Sequence, residues 1–113
     1  MDHELLDPSA LRALHELAVP GEPDPATEVA QTFLDVTPER LARLRQAALE
    51  VDLDAVRRIA HLVRGSCGTI GAVAMHALAA EVESSVDAAS AQQFVAQLED
   101  AFARTRPLLE VRP

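Results

Sequence analysis

A chain of 113 residues with 49% apolar side chains is long enough to bury one core, and this composition excludes a disordered protein. A net charge of −8 and an aromatic content of only 3% exclude the basic face and the base-stacking platform of a nucleic-acid binder. No apolar run approaches the roughly 20 residues that span a bilayer, a lone cysteine (Cys67) excludes an internal disulfide, and no CxxC, HExxH or paired Cys/His spacing offers a zinc site. The start, MDHELLDPSAL, lacks the basic and apolar stretches of a signal peptide, so the expected location is the cytoplasm. All ten basic residues are arginine, a bias that reads as genomic rather than functional.

Strand signals are nearly absent, and helical spacing recurs from end to end. The expected class is all-α. A short first helix spans about residues 7–18, with Asp7 as cap, Pro8 in its first turn, and Leu11, Leu14 and Leu17 as its apolar stripe. It breaks in the Pro-rich turn 19–25, VPGEPDP. A second helix restarts at the Asp24–Pro25 pair and runs to about Glu50, burying Val29, Phe33, Leu34, Leu41, Leu44 and Ala48. Pro38 lies inside it and predicts a kink or a split, with Thr37 capping the second half.

The third helix is expected from about Asp52 to Ile70, with Gly71 as its stop. The fourth covers about 72–88, with Val73, Leu78, Val82 and Val86 inward. Ser90 is the expected cap of the fifth, which carries Phe94, Leu98, Ala101, Phe102 and Leu109 inward and frays at Pro107. Short links between the last four helices make neighbours antiparallel. The prediction is one domain over 1–113: an antiparallel up-down-up-down four-helix bundle over about 25–109, preceded by a short extra helix.

The third helix carries the functional signal, in the stretch AHLVRGSCGTIGA, residues 60–72. Stepping about 100° per residue places Val56, Ile59, Val63, Ser66, Cys67 and Ile70 on the side away from His61. That side is the expected core face. Asp54, Arg57, Arg58, Arg64, Gly65 and Gly68 share the face of His61, with Leu62 on its rim. A glycine inside a helix costs about 1 kcal/mol relative to alanine. Gly65 and Gly68 on an exposed face break a local rule without an evident packing return, which marks a functional site. Something must approach the backbone beside His61 closely.

The arginines add to this. Arg64 lies one turn after His61 and is placed to bind a dianion carried on the imidazole. Arg57 and Arg58 add positive potential for an acidic partner. An ordinary imidazole is a competent nucleophile toward phosphorus near neutral pH. Ser66 is expected to bond the carbonyl one turn back, and Cys67 to be a buried apolar residue without redox chemistry. His3, His15 and His76 share no metal spacing with His61 and read as ordinary surface or terminal residues.

These residues resemble the histidine-containing phosphotransfer (HPt) domains of bacterial multistep phosphorelays. The match runs through Ala60, His61, Val63, Arg64, Gly65, Ser66, Ile70, Gly71 and Ala72, and the similarity extends over about residues 28–106. The resemblance implies that His61 carries a phosphoryl group between the aspartates of receiver domains, and that sensor or hybrid histidine kinases are partners. It implies that Arg64 steadies the phosphate and that Gly65 and Gly68 leave room for the receiver; by charge and by place on the face, Arg57, Arg58 and Leu62 are the expected further contacts with it. It further implies no kinase or ATPase activity and no cofactor or metal of the domain's own (magnesium belongs to the receiver); a monomer is the simplest expectation.

Arg64 departs from the lysine usual in that family. Relatives often place a polar side chain, frequently glutamine, on the next helix to orient the histidine ring, and spacing makes Glu83 the candidate. From the residues alone, other readings stay open. One is an unphosphorylated adaptor that binds through the same face. Another is a substrate domain cut from a larger hybrid kinase, although Met1 and a complete helix set favour a free-standing protein. A purely structural bundle would leave Gly65 and Gly68 unexplained.

Overall fold

The structure, a computed structural model, describes residues 4–110; His3 and both ends of the 1–113 span fall outside them. Five helices follow in order: α1 (Pro8–His15), α2 (Pro25–Leu49), α3 (Leu53–Ile70), α4 (Val73–Glu83) and α5 (Ala88–Glu110). No strand occurs among the described residues. The helices α2 to α5 close a bundle in which α2 packs on α3 and α5, and α4 packs on the same two. The helix α1 lies against α2 and α3, as an addition to the bundle.

The starts of α1 and α2 follow local chemistry. Asp7 accepts a hydrogen bond from the Ser9 amide at 3.0 Å, Asp24 accepts one from the Ala26 amide at 2.9 Å, and a proline follows each cap. The first helix is shorter than its apolar stripe predicts. It stops at His15, and tight turns return the amides of Leu17 and Ala18 to the carbonyls of Leu14 and His15. Pro20 biases Val19 away from the helical region, and Leu17 is left exposed.

Pro38 neither splits α2 nor starts a second half. The helix is continuous, and Thr37 is buried within it instead of capping. A proline in a helix interior costs about 3 kcal/mol. The burial of Phe33, Leu34, Leu41 and Leu44 on both sides of it outweighs that cost. Phe33 meets Phe102 of α5 edge to face, with ring centroids 6.1 Å apart.

The fourth helix differs most from its sequence pattern. It ends at Glu83, and Met75, Ala79 and Val82 are the buried residues. Val73 and Val86, expected inward, are exposed, and Leu78 is half-buried. Alanine and valine lie all around this helix, so its spacing selects no face. The fifth helix starts earlier than predicted. The Asp87 carboxylate accepts from the Ser90 amide at 2.7 Å, so Asp87 is the cap and Ser90 lies in the first turn. That hydrogen bond also holds the Asp87 carboxyl below the usual range. Pro107 sits inside the helix, and Leu109 beyond it is buried, which keeps the last turn in place.

The turn from α2 to α3 holds Val51 at φ 59°, the only non-glycine residue with positive φ among those described. Its amide bonds Ala48 O and the next amide, of Asp52, bonds Ala47 O, the pattern that usually places glycine at this position. The left-handed region costs a β-branched residue about 1–2 kcal/mol. Val51 is mostly exposed, so little packing is lost on its removal. Val51→Gly should therefore raise stability by about 1 kcal/mol, read as a higher urea midpoint at unchanged slope.

Candidate phosphoacceptor site

The register of α3 is set by Val56, Ala60, Val63, Cys67 and Ile70, all of them buried. Asp52 starts the helix by accepting from the Ala55 amide at 3.1 Å, and Gly71 ends it in the left-handed region at φ 79°. Ile59 and Ser66, expected in the core, are half-buried. This register turns His61 outward, with 63% of its side chain accessible.

Three charged or titratable side chains meet at His61. Glu83, at the end of α4, places Oε2 3.0 Å from His61 Nδ1. Its Oε1 lies 3.2 Å from Arg64 Nε. Arg64 Nη2 lies 3.3 Å from the same Nδ1. A carboxylate only accepts hydrogen bonds, so the short Glu83 contact requires the proton on Nδ1. Guanidinium N–H groups only donate, so the Arg64 contact with a protonated Nδ1 is proximity rather than a hydrogen bond. In the neutral ring the lone pair is then on Nε2, the nitrogen that Glu83 does not engage.

The other residues of this face lie as the helical spacing predicts. Gly65 and Gly68 are exposed, and a side-chain carbon built at Gly65 would meet nothing within 4 Å. Gly68 is not empty in the same sense. His76 of α4 approaches it, with Cδ2 3.7 Å from where a Cβ would stand. An alanine at 68 would thus make ordinary contact, and the cross-helix approach of His76 was not legible from spacing. Arg57 is exposed and paired with Asp54 at 3.3 Å, and Arg58 and Leu62 are exposed.

Ser66 does not bond back to its own helix. Its hydroxyl accepts from Arg40 Nη1 of α2 at 3.0 Å. Both line a groove of about 320 Å³ between α2 and α3, with Val29, Phe33, Val36 and Ile70. Cys67 is fully buried, and burial pushes its thiol up to about 12, which removes it from nucleophilic chemistry at neutral pH. Among the described residues, no group of three or more His, Cys, Asp or Glu side chains is arranged to hold a metal ion. No helix among them is long and apolar enough to cross a membrane.

The chain can thus present an exposed imidazole, held at Nδ1 by a carboxylate, beside an arginine and on a face cleared of bulk. Comparison with known proteins agrees with this chemistry. The family model described as Hpt domain matches residues 28–108. The structure of histidine-containing phosphotransfer protein B (HptB) from Pseudomonas aeruginosa PAO1 is similar, with a TM-score of 0.81 and 30% sequence identity. The match covers 93% of this chain and 90% of that one. No curated protein matches the chain. An all-helical bundle with an outward histidine on its third helix, matched by that family model over most of its length, is a member of the Hpt domain family.

Proposed function

We propose that this protein is a phosphoryl carrier of a multistep phosphorelay, with His61 as the phosphoacceptor. The observation that carries this is the His61–Glu83 contact on the exposed face of α3, which engages Nδ1 and leaves the lone pair of the neutral ring to Nε2. In the acceptor step, the Nε2 lone pair attacks the phosphorus of a receiver's aspartyl phosphate. A nitrogen–phosphorus bond forms, the phosphorus–oxygen bond to the aspartate breaks, and the carboxylate leaves with the electron pair. The Nδ1 proton stays on the ring, and the positive charge that develops there lies against the Glu83 carboxylate. Donation to the next receiver is the reverse of this step.

The remaining residues of the face serve position and charge. Arg64 binds the phosphoryl oxygens, and an arginine does this with a planar fork where a lysine offers a point charge. Gly65 and Gly68 let the receiver backbone approach, Leu62 gives an apolar contact, and Arg57 and Arg58 attract its acidic active-site cleft. The partners are receiver domains and the sensor or hybrid kinases upstream of them. Magnesium, where the transfer needs it, sits on the receiver. The bundle acts as one cytoplasmic, monomeric phosphotransfer unit, with no kinase or ATPase activity of its own.

The test is transfer from a panel of radiolabelled phospho-receivers, followed by mapping of the labelled peptide. The expected label is acid-labile, stable to alkali and located at His61. Binding of a receiver without any label at His61 would instead favour an unphosphorylated adaptor.

A further inference from the structure

Glu83 touches both partners of the transfer chemistry, and its contact with Arg64 is the looser one. Arg64 Nε stands 3.2 Å from Oε1, yet this buried oxygen receives no aligned hydrogen bond. The pair is therefore held by charge, without the directional bond that would lock it. The guanidinium also stands 3.3 Å from Nδ1, the nitrogen that Glu83 engages, whereas a phosphoryl group would be added at Nε2. In the unmodified protein Arg64 thus rests between Glu83 and the Nδ1 side of the imidazole.

We propose that Arg64 is exchanged between two anions: it rests on Glu83 while His61 is unmodified and passes to the phosphoryl oxygens once Nε2 is phosphorylated. Glu83 thereby competes with the phosphoryl group for Arg64 and limits the lifetime of phosphorylated His61. This rests on the phosphoacceptor role of His61. A phosphoryl dianion offers three strong acceptor oxygens and draws a guanidinium away from a single misaligned carboxylate oxygen. The exchange has an opposing cost, because the departure of Arg64 leaves Oε1 buried without its counter-charge. The net hold of Arg64 on the phosphate is the difference between these contacts. A glutamine side chain in place of Glu83 would keep a hydrogen-bond acceptor for the ring but remove the charge that retains Arg64.

The coupling has a definite sign, which a double-mutant cycle reads. Wild type, Arg64→Ala, Glu83→Gln and the double variant are each phosphorylated by the same receiver, separated from it, and followed for the half-life of the label on His61. Circular dichroism melting is the control that all four are folded. With Glu83 present, Arg64→Ala should shorten the half-life about threefold; in the Glu83→Gln background it should shorten it at least about tenfold, within the usual range of coupling between residues in contact. Equal ratios in the two backgrounds, or a smaller ratio in the Glu83→Gln background, would overturn the exchange. Absence of label at His61 in wild type would overturn the phosphoacceptor reading, and the exchange with it. The lifetime of the isolated phosphoprotein is a readout that a merely structural contact would leave unmoved.

Discussion

His61→Gln should lose phosphoryl acceptance altogether, a drop of at least about 10³-fold in transfer rate from any cognate phospho-receiver. The loss is this large because the side chain supplies the bond-forming atom. Glutamine is close in size and polar, but its amide nitrogen has no available lone pair for phosphorus. The substitution should leave the fold intact, since the His61 side chain is mostly exposed and faces away from Val56, Val63, Cys67 and Ile70. Glu83 and Arg64 can still pair with each other across the gap, at 3.2 Å in the present structure. Receiver binding should persist, because Gly65, Gly68, Leu62 and the arginines are unchanged. Labelled transfer together with a binding titration separates the two effects. Loss of binding along with loss of label would mean that His61 is a docking residue first.

Gly71→Ala should produce the largest loss of stability of any glycine substitution in the chain. Two independent penalties fall on this residue. Its φ of 79° lies in the left-handed region, which disfavours a side chain by about 1–2 kcal/mol. A Cβ there would also stand 2.5 Å from the backbone oxygen of Asp7 and 3.2 Å from the Ala10 Cβ. The first of these is a backbone atom and cannot swing aside. It is held in place because the Asp7 amide donates to the Gly71 carbonyl at 2.8 Å. Relief requires α1 to lift from the end of the bundle, which exposes Leu11. Together these should cost about 2–4 kcal/mol, and for a domain of this size that lowers Tm by roughly 10–20 °C. A melt within a few degrees of wild type would show that α1 detaches at little cost. By contrast, Gly65 has open space around it, and an alanine there should leave Tm nearly unchanged.

The difference between these two glycines shows where sequence reading reaches its limit. Both lie in one stretch of thirteen residues, and local rules identify Gly71 as a helix stop and Gly65 as a gap on the histidine face. The second reason for Gly71, its contact with α1 more than sixty residues earlier, has no local signature. The same holds for Ser66. Its local option was a bond to its own helix, and a long arginine from α2 took the hydroxyl instead. In α4 the pattern itself was uninformative. With small apolar residues all around, only packing against α3 and α5 could choose Met75, Ala79 and Val82 as the buried face and leave Val73 outside.

By itself, the sequence determined the helical class, the caps at Asp7 and Asp24, the core face of α3 and the outward face with His61, Arg64, Gly65 and Gly68. These depend on contacts within a turn or two, where spacing is geometry. The resemblance to HPt domains, together with spacing, also put forward Glu83 as a neighbour of the histidine. Only the tertiary structure decided how that carboxylate divides itself, with one oxygen on the Nδ1 of His61 and the other on Arg64. That division depends on the relative rotation and height of α3 and α4. Those are set by the packing of α3 against α4, and a helical period does not encode them.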